Sequence, residues 1–154
     1  MKHIYFVLLI LFSSTSFAQI TQINAPKIEL VGQIVAAGDV TVSMECYKYE
    51  DSTYLFRYSD AEFPMLNEWK SFKVRSNKDF ETLYSYIKKG FQEMPKEKVI
   101  LDIGGEYLFL EFGKYLFSKV IMITQSTSLD SNLPAVGYTN IFRVKQIDIL
   151  FGKQ

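Results

Sequence analysis

The chain has 154 residues, with 17 Lys plus Arg set against 17 Asp plus Glu, one His and one Cys. A neutral balance gives no electrostatic case for nucleic acid or anionic lipid as a partner, and a lone Cys46 excludes an intrachain disulfide. The length suits one domain, and thirteen Phe and ten Tyr supply material for its core.

The first eighteen residues read as a cleavable export signal. Lys2 and His3 form a short basic start, Ile4 to Phe12 is an apolar run of nine, and Ser16 and Ala18 are the small residues a signal peptidase needs at −3 and −1. The run is shorter than the roughly 20 apolar residues of an ordinary membrane span. The alternatives, an uncleaved anchor or a buried core helix, do not explain the small-residue junction. The expected product begins at Gln19, carries no transmembrane span and works in the periplasm or outside the cell. His3 is the only histidine, so that product has no imidazole. His-dependent triads, His-ligated zinc and most general-base chemistry near neutral pH go with it.

After a lead-in over 19–26, Lys27 to Val35 reads as a strand and Ala36 to Asp39 as a turn. Val40 to Tyr49 alternates, with Val40, Val42, Met44 and Cys46 on one face; the apolar side then switches to Tyr47 and Tyr49, which suggests a bulge or a change of sheet environment. Tyr54 to Tyr58 is the next strand. With Asp51 and Ser52 as the loop, Tyr49 faces Tyr54 and Tyr47 faces Phe56, an aromatic cross-strand ladder. Ser59 to Glu68 is irregular and contains Pro64, and Trp69 to Val74 is again a strand.

The clearest helix follows. Ser76 and Asn77 are N-cap residues, Ser76 with Asp79 resembles a capping box, and Phe80, Leu83, Tyr84, Ile87 and Phe91 form one apolar stripe. Gly90 and Pro95 bracket its expected end. Three strands come next: Lys98 to Ile103, a Gly104-Gly105 turn, Glu106 to Phe112, a Gly113-Lys114 turn, and Tyr115 to Thr124. That register sets Leu101 against Leu108, Val99 against Leu110 and Phe112 against Tyr115. Gln125 to Asn140 reads as a long polar loop, and Ile141 to Phe151 as a short helix with Gly152 at its C′ position. Tyr-Leu-Phe recurs at 54–56, 107–109 and 115–117, which we read as shared strand vocabulary rather than duplication.

The expected fold is therefore α+β: an antiparallel sheet of about six strands (β-hairpins, helix, three-strand meander), one helix packed on a face and a short C-terminal helix. Residues 27–154 form one domain.

No residue set reads as a catalytic, cofactor-binding or metal site, and no cofactor is expected. Cys46 lies on an apolar strand face without a base to make it a thiolate, and reads as a buried thiol. Asp60, Glu62, Asp102, Glu106 and Glu111 are the acid/base groups that remain, and two of them would have to converge in a cleft to act as a hydrolase. Asp102-Ile103-Gly104-Gly105 lacks the spacing and the following helix of a phosphate loop. Tyr47, Tyr49, Phe63 and Trp69 are the candidate surface: aromatics that, where exposed, would stack on a sugar, a peptide or an apolar ligand. The sequence thus points to a small exported, non-enzymatic protein that binds an unknown protein or small ligand. The alternatives are a carboxylate-dependent hydrolase and a structural or inhibitor-like domain that pairs through a strand edge.

Overall fold

The computed structural model describes residues 25–35, 41–66, 68–130 and 132–153. The expected signal peptide, most of the 19–26 lead-in and the Ala36 to Asp39 turn lie outside them. Among the described residues, two antiparallel sheets of four and five strands, rather than one of about six, and two α-helices make the expected α+β class. The first sheet runs β1 (Ile28–Val35), β2 (Val42–Tyr49), β3 (Tyr54–Ser59), β4 (Trp69–Val74) in that order. Helix α1 (Asn77–Glu93) follows. The second sheet is β5 (Val99–Asp102), β6 (Tyr107–Tyr115), β7 (Ser118–Ser126) and β8 (Gly137–Tyr138), with β9 (Phe142–Arg143) also paired to β7. Helix α2 (Val144–Leu150) closes the fold.

One core joins both sheets and both helices. Phe56, Tyr54 and Phe72 from the first sheet, Phe80, Ile87 and Phe91 from α1, Leu108 and Ile121 from the second sheet, and Ile147, Leu150 and Phe151 at the C-terminus belong to it. Helix α1 reaches both sheets: Phe80 stacks on Tyr54 at 4.0 Å and Phe91 meets Phe112 edge-on at 5.5 Å. The Ser76 hydroxyl caps α1 by accepting from the Asp79 N–H at 3.1 Å. Helix α2 is tied to α1 by Lys88 and Tyr84, both bonded to Asp148.

Three expected details are corrected. The β2–β3 connection holds three residues, not two. Tyr49 N–H donates to Thr53 O, Ser52 N–H to Tyr49 O, and Ser52 sits at φ 64°. That is a type I turn closed by a left-handed residue. The extra residue slips the register by one, so Tyr47 faces Leu55 and Lys48 faces Tyr54. A one-residue slip moves every side chain to the opposite face, and the aromatic ladder does not form. The β2–β3 pairing is regular; the irregularities are in the β1–β2 pairing, where Val31 of β1 is extra opposite the Cys46–Tyr47 step and Ser43 of β2 is extra opposite Ile34–Val35.

Helix α1 ends between Gly90 and Pro95, as expected. The helix runs on to Glu93 and is capped by Met94 at φ 49°. Gly90 is glycine because the Phe112 ring occupies the space a Cβ would need. Gly113-Lys114 is not a turn: β6 continues to Tyr115, Phe112 faces Ile121, and the chain reverses at Leu116-Phe117. The third Tyr-Leu-Phe is thus a hairpin tip rather than a strand. The expected loop over 125–140 is shorter, since Gln125 and Ser126 are buried in β7 and Gly137-Tyr138 form β8.

Candidate functional site

The register slip creates the candidate surface. In the first sheet Met44, Cys46, Tyr54, Phe56, Tyr58, Phe72 and Val74 point inward. The opposite face therefore carries Tyr47 and Tyr49 from β2, Leu55 and Arg57 from β3, and Trp69, Ser71 and Lys73 from β4. The pairing carries it onto the edge strand, where Ile28 stands beside Tyr49 and Leu30 beside Tyr47. Ile28 and Leu30 are about half exposed (51 % and 48 %) and Trp69 is 37 % exposed. Tyr47 and Tyr49 are half-buried.

Polar groups set into this face fix its geometry. The Arg57 guanidinium lies 5.1 Å from the centre of the Trp69 ring and 3.4 Å from a Glu45 carboxylate oxygen. Partial burial, and secondarily the neighbouring Glu45 carboxylate, raise the Tyr47 hydroxyl above its usual pKa. At the Tyr49 end the face deepens into a hollow of about 620 Å³, lined by Tyr49, Ser71, Lys73, Arg75 and Glu106 among others. Its far wall is the β5–β6 turn, where Gly104 and Gly105 take φ of 98° and 101°. Arg75 donates to Gly104 O at 3.4 Å. It also lines a second groove of about 480 Å³ between α1 and β5.

A buried polar network holds the β3–β4 end of this face to the second sheet. Gln125 accepts from the Tyr58 hydroxyl at 2.8 Å, and its amide donates to Ser71 O at 3.1 Å and to Glu106. Asp60 is buried and accepts from the Glu62 and Tyr138 N–H groups, both at 3.1 Å, while Ala61 N–H donates to Tyr138 O. These bonds fix one end of the connection that carries Phe63. Phe63, Met65 and Leu66 project from it, with Met65 91 % exposed.

The structure thus places Tyr47, Tyr49 and Trp69 on one sheet face and Phe63 on the connection leading into Trp69. Arg57, Glu45 and the Arg75 hollow were missed by the sequence reading. Glu45 carried a usable signal, since it shares the strand parity of Tyr47; Arg57 joins that face only through the observed register. The hollow carried none, because its wall comes from a turn about thirty residues away.

The five carboxylates are distributed rather than gathered. Asp60 binds backbone N–H groups, Glu106 binds Gln125, Glu111 pairs with Lys98 at 3.1 Å, and Glu62 is exposed. Asp102 accepts from Gly104 N–H at 2.7 Å and from Gly105 N–H, and these bonds hold its carboxyl below the usual pKa. Among the described residues, no group of three or more His, Cys, Asp or Glu is placed to hold a metal ion. Comparison with protein-family models, curated proteins and solved structures found no match.

Cys46 is fully buried, and burial pushes its thiol up from 9.0 to about 12. Its neutral form is favoured in the folded state. That stabilisation is complete below about pH 9 and is lost as pH rises toward 12, at up to about 1.4 kcal/mol per pH unit. The Tyr58 hydroxyl, raised first by burial and then by Asp60 and Glu106, acts in the same direction. Urea melts from pH 8 to 11 should show stability falling with pH, and Cys46→Ala should flatten the slope. A Cys46→Ala slope equal to wild type would remove the thiol from this account. Thiol reagents at pH 8 should label Cys46 only once the chain unfolds.

Proposed function

We propose that this chain is exported, loses residues 1–18, and acts as a non-enzymatic binding protein whose ligand lies across the outer face of the first sheet. The observation that carries the reading is the composition of that face. Trp69, Tyr47 and Tyr49, with Ile28 and Leu30 beside them, offer apolar planes, while Glu45, Arg57, Ser71 and Lys73 offer hydrogen bonds among them. Ligands with apolar faces and polar edges, such as a sugar chain or an extended peptide, suit that mixture. The hollow beside Arg75 extends the surface. A non-enzymatic role is supported by the local structural partners of Asp60, Asp102, Glu106 and Glu111, and by the loss of His3 with the leader.

Trp69 is the only tryptophan, so its fluorescence reports on this face directly. Titration with soluble glycans and extended peptides should produce a saturable change in emission for one of these classes. Tyr49→Ser should weaken that binding by about tenfold without moving the thermal midpoint, since 1.4 kcal/mol of lost contact corresponds to that factor. Binding to Tyr49→Ser as strong as to wild type, or no response to either class, would discard the face as the site. Intact mass of the native product tests export separately: it should correspond to a chain starting at Gln19.

A further inference from the structure

The β6–β7 hairpin ends in three successive exposed apolar residues. Tyr115 is 54 % exposed, Leu116 76 %, and Phe117 as exposed as a side chain can be. This turn is costly by ordinary rules. Leu116 occupies the first loop position at φ 53°, where two-residue hairpins with a positive first φ favour Gly. A branched apolar residue there is strained and gains no burial in return.

The charges behind the tip have one sign. Lys114 and Lys119 stand directly opposite each other across the last rungs of the ladder. Like charges in that arrangement destabilise a strand pair. No acidic residue occurs between Glu111 and Asp130. Lys119 is anchored by donating to Phe91 O at the end of α1. Lys114 enters no ion pair among the described residues.

From this arrangement we propose that the β6–β7 tip inserts Leu116 and Phe117 into the interfacial region of a lipid bilayer, with Lys114 and Lys119 meeting anionic headgroups. The net charge of the whole chain is silent on this; the local pattern is what matters. Apolar side chains entering the acyl boundary supply most of the binding, and each lysine near an anionic surface adds about a fivefold gain in partitioning. Tyr115 suits the interface, with an apolar ring and a polar hydroxyl. This site is separate from the sheet face described above.

The test puts its readout on the tip, because Ile4 to Phe12 of the full chain could itself enter lipid. In a Phe117→Trp, Trp69→Phe chain, tryptophan emission should shift to the blue on adding phosphatidylglycerol/phosphatidylcholine vesicles, and lipid-borne bromine should quench it. Lys114→Glu should weaken that response several-fold on anionic vesicles and leave it little changed on pure phosphatidylcholine. Adding Leu116→Ser should weaken it about tenfold on anionic vesicles. The tip is solvent-exposed, so these variants should not lower the parent melting temperature. Unchanged emission with anionic vesicles at low salt would overturn the proposal. So would emission that shifts with protein concentration instead of lipid, which would assign the tip to contact between two copies of the chain.

Discussion

Phe56→Ala should remove about 3–5 kcal/mol of folding stability, the range for deleting a large aromatic from a packed core. Phe56 is fully buried in the middle of β3. Its ring lies 4.9 Å from Phe72 on the neighbouring strand, 6.1 Å from Phe80 on α1 and 5.3 Å from Phe151 just beyond α2. Three elements therefore meet on one side chain. The hole left by alanine is bounded by stiff rings held in place by other contacts, so it cannot close cheaply. A single domain of this size has about 5–15 kcal/mol in total, so the variant should be marginal at 37 °C. Urea unfolding followed by far-UV circular dichroism gives the number. Phe63→Ala is the comparison: Phe63 is 44 % exposed on a connection, and its removal should stay within about 0.5 kcal/mol. Equal losses in the two variants would show that Phe56 is not at the centre of the core.

Elements with a strong period were legible in the sequence, and connections whose geometry depends on a single dihedral were not. The α1 stripe from Phe80 to Phe91 and its Ser76 cap were readable because period and cap chemistry agree. Gly104-Gly105 was readable because two glycines at a hairpin turn leave few alternatives, and the pairings of Leu101 with Leu108 and Val99 with Leu110 followed from it. Asp51-Ser52 was misread because nothing local tells that Ser52 takes a positive φ, and that one residue decides which face receives Tyr47 and Tyr49. Gly113-Lys114 looked like a turn, whereas Leu116-Phe117 looked like strand. Those two errors share a cause: a rule of residue preference was followed at a place where the chain departs from it. The bracket of Gly90 and Pro95 did enclose the end of α1, but that Gly90 also makes room for the Phe112 ring had no signal in the sequence. Of the candidate surface, the aromatic members were visible, but the partners that complete it arrive from separate strands and from a distant turn.

The departures are informative in their own right. Local preference and observed structure agree over most of the chain, as expected of a sequence selected for one fold. Leu116 breaks the rule for its position without a packing reason. Gly90 and Gly32 break the rule against glycine inside regular elements, and each has a neighbour pressed against it that explains the choice. Packing therefore accounts for the glycines, while the apolar tip calls for something outside the fold.

Gly32→Ala should cost about 3 kcal/mol or more, at the upper end of the range for overpacking a core. A Cβ on Gly32 would lie 2.8 Å from the carbonyl oxygen of Leu150 and closer still to that of Ile149. Both obstacles are backbone, so no side-chain rotation relieves the clash. Either β1 must leave the sheet or α2 must withdraw, and α2 carries the buried Ile147 and Leu150 with Phe151 beyond it. Gly113→Ala supplies the contrast, because a Cβ there meets nothing within 4 Å; replacing a strand glycine in open space should be neutral or stabilise by up to about 1 kcal/mol. Urea midpoints compare the two, and amide exchange over 144–150 shows whether α2 is the element that moves. A Gly32→Ala chain as stable as wild type, with α2 amides still protected, would mean that β1 and α2 are not in the close contact described.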